Sequence, residues 1–526
     1  MSEMSVPRGG AGAGPVAGDK DPRRWLILVI IGLAQLMVVL DVTIMNIALP
    51  SAQRSLGFSN VDRQWVVTAY ALAFGSLLLF CGRLADLLGR KVTFLIGLAG
   101  FAVASAVGGA SVNFAMLTAS RACQGAFGAV LAPSALSLLT TTFTEPKERG
   151  RAFAVFGALA GGGGAVGLLL GGALTEYLSW RWCLYVNLFF AGVALIGGMM
   201  LISRQQRATG ARLDVPGVVA VSGGMFCIVY GLSNAATHSW GTPSTYGFLA
   251  AGAALLVVFG FWQAKASDPL LPPRVIMDRN RGGAYLAIGV VGAGMFGIFL
   301  FLTYYLQITL GYSPLVAGLA YLPMVVCIAA GANIANIVLL PRLGPKPIIP
   351  ASMLLAAGGA AWLTAIGPHS GYAAHVLGPI MLAGFGMGNI FSSAINTGTY
   401  GVAPRDAGVA SASVNTGQQL GGSIGTALLN TVAASATTSY IVSHLSPQTA
   451  VRGRPAPSLL QAALVHGYST AFWWSAGIFV GGAVVTGLLL RPGPLFPREA
   501  PAPAAQEATA AQQAAGVIHP NARDGL

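Results

Sequence analysis

Asp41 is an acid set inside the apolar stretch 25–50, with Thr43 and Asn46 close behind it. A carboxylate at bilayer depth is costly, and such residues by default mark ion or proton pathways. Arg121 is a base in a second apolar stretch, followed by Gln124 and Gly125. Taking Pro50 and Asn113 as outer ends, Asp41 lies nine residues in and Arg121 eight. At ~1.5 Å per helical residue both sit about 12–14 Å below the same surface. An acid and a base at equal depth can pair, which makes each tolerable away from water. Burial favours the neutral acid, and a neighbouring guanidinium favours the carboxylate. A near balance suits a group that loads and releases a proton in each cycle. The competing reading is static: Asp41 hydrogen-bonded in a packed bundle or reaching for the outer interface, with Arg121 clamping two helices.

The rest of the chain must supply a membrane bundle for that pair. Of 526 residues, 55% are hydrophobic and 9% charged, and mean hydropathy is +0.69. A soluble protein carries roughly 25% charged residues, so the composition specifies an all-α polytopic membrane protein. The net charge of +13 then belongs to loops facing anionic lipid and not to nucleic-acid binding. Five cysteines lack metal or disulfide spacing and read as small hydrophobes. The first apolar run is too long and starts too late for a cleavable signal, so it is expected to remain as an anchor.

Fourteen spanning segments are predicted near 25–50, 64–81, 92–111, 114–142, 151–174, 183–203, 213–233, 246–264, 284–309, 314–340, 347–366, 373–401, 407–433 and 469–490. Cations collect in every second loop, as with Arg83, Arg90 and Lys91, then Lys147, Arg149 and Arg151. The positive-inside bias makes those loops cytoplasmic, and both termini with them. An internal repeat is visible: Leu56-Gly57-Phe58-Ser59 returns 254 residues later as Leu310-Gly311-Tyr312-Ser313. Gly163-Gly164-Ala165-Val166-Gly167 returns after 258 as Gly421-Gly422-Ser423-Ile424-Gly425. The expected organisation is a disordered cytoplasmic tail at 1–24, a six-helix bundle at 25–203, two inserted helices with linkers at 204–280, a second six-helix bundle at 281–490 and a tail at 491–526. Parallel repeats are one plan for secondary transporters, with the substrate site between the halves.

Three further motifs stand out. Gly82, Asp86, Gly89, Arg90 and Lys91 form a charged cytoplasmic turn in which glycines permit a tight bend. A charge cluster there can break and re-form as the halves rock, or act as a topology determinant alone. Gly163, Gly167 and Gly171 are four apart and present a flat face for another helix. Asn46, Tyr70, Gln124, Tyr304, Gln307 and Asn415 are candidate substrate-cavity residues, although amides in membrane helices also serve as interhelical hydrogen bonds.

These motifs resemble the major facilitator superfamily, and within it the fourteen-helix drug:proton antiporters of the EmrB/QacA type. The first-helix motif reads Leu40-Asp41-Val42-Thr43-Ile44-Met45-Asn46-Ile47-Ala48-Leu49-Pro50, and Gly82, Asp86, Gly89, Arg90 and Lys91 match the loop motif. Trp180-Arg181-Trp182 and Asn187 also match. The resemblance implies proton-coupled efflux of a lipophilic or cationic small molecule, with Asp41 and Arg121 as the proton-coupling pair. It implies that the fifth-helix glycines seal the interface between the halves, although Leu168 stands where the family has proline. It implies a multi-pass plasma-membrane protein working as a monomer, with no cofactor beyond the proton gradient, no metal and no nucleic-acid partner. An enzyme is not expected, since no nucleotide loop or nucleophile–base pair is present. The alternative is an uncoupled or lipid- or metabolite-exporting translocase on the same fold.

Overall fold

The computed structural model describes residues 23–493 apart from 144, 204–213, 239, 267–268, 272, 403–406, 446–449 and 452–453. The expected tails therefore lie outside the described residues, save for 23–24 and 491–493. Long helices follow one another as α1 Arg24–Leu56, α2 Asn60–Leu88, α3 Arg90–Gly109, α4 Phe114–Thr142, α5 Pro146–Tyr177, α6 Trp182–Leu201, α7 Val215–His238 and α8 Pro243–Lys265. After a short turn at Pro273–Ile276 come α9 Arg279–Thr309, α10 Pro314–Leu343, α11 Pro345–Leu363 and α12 Ala373–Thr399. Last are α13 Ala407–His444 and α14 Pro457–Leu489. Among the described residues, eleven of these are long and apolar enough to cross a membrane. In α2 and α5 the apolar stretches are shorter, Trp65–Leu78 and Val166–Tyr177.

The repeat seen in the sequence is a repeat of packing. In the first half α1 packs on α5 and α6, α3 on α4 and α6, and α2 on α4; in the second, α9 packs on α13 and α14, α11 on α12 and α14, and α10 on α12. Its turns repeat as well. Gly57 has φ 70° and Gly311 φ 69°, the left-handed region that residues with a Cβ avoid. The halves meet where α2 crosses α13 and α5 crosses α10, while α7 lies against both α2 and α13.

Two local expectations change. The second helix runs through the expected cytoplasmic turn, so Gly82 and Asp86 are helical and Gly89, at φ 93°, makes the bend alone. The fifth-helix glycines Gly163, Gly167 and Gly171 face α1: a Cβ on them would press on Leu36, Thr43 and Ile44 respectively. They close packing within the first half. The second half is touched instead by Gly172, beside Leu315, and by Leu168, beside Gly318.

Candidate functional site

Four helices converge on Asp41. Asn113 caps α4, its side chain accepting from the Met116 N–H at 2.8 Å, and so sets where Arg121 falls. Gly125 lets α4 approach the Tyr70 carbonyl of α2, where any side chain would collide. Arg121 Nη1 lies 2.6 Å from Asp41 Oδ2, with both side chains buried. The other carboxylate oxygen, Oδ1, accepts from Gln124 Nε2 at 2.9 Å and from Asn187 Nδ2 at 2.8 Å. Gln124 also accepts from Arg121 at 2.9 Å and donates to Ser105 Oγ at 2.8 Å. The guanidinium is held over the Tyr70 ring, 4.4 Å from its centroid, a favourable place for a desolvated cation. Charge-assisted bonds of this kind are short and strong, and together they offset much of the cost of burial.

Beside this network is a cavity of about 10 Å³, room for roughly one water molecule. Asn46, Tyr70 and Arg121 line it from the first half, Phe296 and Gln419 from the second. Binding pockets for small organic molecules run to about 300–1,000 Å³, so the halves must part to admit one. At the end of the bundle that carries the Gly57 and Gly311 turns they are joined directly: Gln307 Nε2 donates to the Ile47 carbonyl at 2.9 Å, and the Leu315 N–H donates to Glu176 Oε2 at 3.0 Å.

The predicted residues thus separate into groups. Asp41 and Arg121 come together, and Asn46 and Tyr70 border the cavity. Gln124, expected in the cavity, belongs to the buried network, because its amide is taken up by Asp41, Arg121 and Ser105. Tyr304 and Gln307 lie in this contact between the halves, against Arg63 and Ile47 respectively. In Gln307 the reason is local: it sits in a π-helical turn, Tyr305–Thr309, that carries it against α1. Asn415 is half-buried on α13, one turn before Gln419, and is not among the cavity's lining. Lys91 donates to the Met199 carbonyl at 2.8 Å and Arg83 to that of Pro269 at 2.6 Å, while the Asp86 side chain is outside the described residues. Sequence reasoning gave no role to Asn187 or Ser105. A signal existed for Asn187, the one amide in apolar α6, whereas Ser105 shares α3 with Arg90, Lys91 and Thr93.

A family model for the Major Facilitator Superfamily matches residues 31–426. The puromycin resistance protein pur8 of Streptomyces alboniger is 48% identical over 473 residues, 89% of this chain and 92% of that protein. The cephamycin export protein CmcT of Amycolatopsis lactamdurans is 40% identical over 414 residues, 78% and 85% of the respective chains. A solved bacterial homologue of the human lysosomal transporter Spinster, inward-facing and unoccupied, matches with a TM-score of 0.61 and 16% identity. That match covers 90% of this chain and 98% of the other, and is a likeness of fold.

Proposed function

Because the chain belongs to the Major Facilitator Superfamily, we propose that it is a plasma-membrane exporter driving a lipophilic or cationic small organic molecule outward in exchange for protons. Relatives named for puromycin resistance and cephamycin export support efflux as the direction. Both termini are assigned to the cytoplasm from the loop cations.

The observation that carries proton coupling is the 2.6 Å contact of Asp41 with Arg121, buried beneath an outer seal. With the outer side closed, the carboxylate is ion-paired and the central space is ready to receive substrate from within. Once the halves rock outward, a proton reaching Asp41 cancels its charge and weakens the pair, and substrate leaves. Return to the closed-outside state and proton release inside re-form the ion pair. A membrane potential supplies about 2.3 kcal/mol per charge per 100 mV, tens-fold in concentration. Inverted vesicles loaded by substrate addition test this: uptake should collapse with a protonophore.

A second reading is an uncoupled translocase. It is favoured by the full occupancy of both Asp41 oxygens, as a static clamp would have. It requires that the protonophore leave uptake unchanged. A susceptibility panel on cells with and without the gene identifies the substrate.

A further inference from the structure

Arg63 is a buried cation that the Asp41 chemistry does not use. It stands near the outer start of α2 and is 6% exposed. Its Nη1 donates to Gln53 Oε1 at 3.2 Å. Its guanidinium carbon lies 3.4 Å from the centroid of the Tyr304 ring. Tyr304 belongs to α9, so this contact passes from the first half of the molecule to the second. A second ring, Tyr468 of α14, has its centroid 6.4 Å from that of Tyr304. Among the described residues no carboxylate pairs with Arg63. A guanidinium removed from water without an acid is unfavourable unless something replaces its hydration, and an aromatic face does so in part. The Gln307–Ile47 and Leu315–Glu176 bonds cross between the halves on the same side of the molecule.

We propose that Arg63 and Tyr304 form a latch on the outer gate, in which a cation stored between the halves is held by the ring and rehydrates when the outer side opens. The inference rests on alternating access and is indifferent to what the substrate is or whether protons drive it. Its consequence is a pair of effects with opposite sign. Loss of the ring leaves the closed state with an uncompensated buried charge, so the gate opens more. Loss of the charge removes the hydration that rewards opening, so the gate closes more. Ordinary packing damage would open the gate in both cases.

Ala71 lines the central cavity, so Ala71→Cys reports whether that space is reached from outside. Intact cells carrying it are labelled with a membrane-impermeant maleimide, and the labelling of the parent with its native cysteines is subtracted. Tyr304→Leu should speed labelling about tenfold, equivalent to ~1.4 kcal/mol in the opening equilibrium. Tyr304→Phe keeps the ring face and should stay within about twofold of the parent. Arg63→Met should slow labelling, and Arg63→Met with Tyr304→Leu should return it to the parent rate or below. Faster labelling in Arg63→Met, equal acceleration by Tyr304→Phe and Tyr304→Leu, or no change in any variant each overturns the latch. Should Tyr304→Leu fail to reach the membrane, the sign of the Arg63→Met effect decides alone. Substrate and proton movements are not read, so failure here is separate from failure of proton-coupled export.

Discussion

Asn187 on α6 donates to the same carboxylate of Asp41 that Arg121 binds, at 2.8 Å from Oδ1. An amide and a guanidinium thus hold opposite oxygens of one buried acid. Asn187→Ala removes a buried charge-assisted bond, worth about 1.5–3 kcal/mol, and leaves Gln124 as the remaining amide donor to Oδ1. Substrate-driven proton movement should fall by about tenfold or more, with the detergent-solubilised protein still folded by thermal melting.

The ion pair itself has a non-additive signature. Arg121→Gln leaves Asp41 buried without its cation, and loss of one member of such a pair costs about 3–5 kcal/mol. Asp41→Asn with Arg121→Gln removes both charges and should recover most of that stability. A double-variant melt as low as the sum of the singles would mean that the two side chains are not coupled.

Gly167 packs on Thr43, where an added Cβ has no room. Gly167→Ala should therefore lower stability by about 1–3 kcal/mol through overpacking. Thr43→Ala clears the obstructing hydroxyl, so the double variant should melt above Gly167→Ala alone.

The repeat makes a paired prediction. Gly57 and Gly311 have matching positive φ, and nothing lies within 4 Å of a Cβ built on either. Alanine at each position costs backbone strain alone, about 1–2 kcal/mol. The two variants should lose thermal stability to a similar extent, and export in proportion.

Much of this arrangement was legible in the sequence, for identifiable reasons. Asp41 and Arg121 announce themselves because charges in apolar stretches are rare, and counting from Pro50 and Asn113 puts them level. The repeat was visible because turns that need φ above zero restrict residue choice to glycine. Asn187 and Ser105 were harder. A hydroxyl in an apolar helix can bond its own backbone, as Thr43 does with the Val39 carbonyl, so residue type alone does not reveal a partner on another helix. Arg63 escaped because the second segment was expected to begin at 64, whereas α2 begins at Asn60. That shift of about one turn moves a loop cation into the interface. The four-residue glycine spacing of α5 showed that a helix would approach closely. It did not show which one, since α1 and a helix of the second half would demand the same small residues.

Proton movement through Asp41 is the central step of the proposed export cycle. Purified protein with Asp41→Asn, reconstituted in liposomes holding a pH-sensitive dye, should show substrate binding but no substrate-induced proton flux, while the parent protein acidifies the compartment that protons enter. Proton flux of parental size in Asp41→Asn, from protein with an unaltered melting profile, would contradict it.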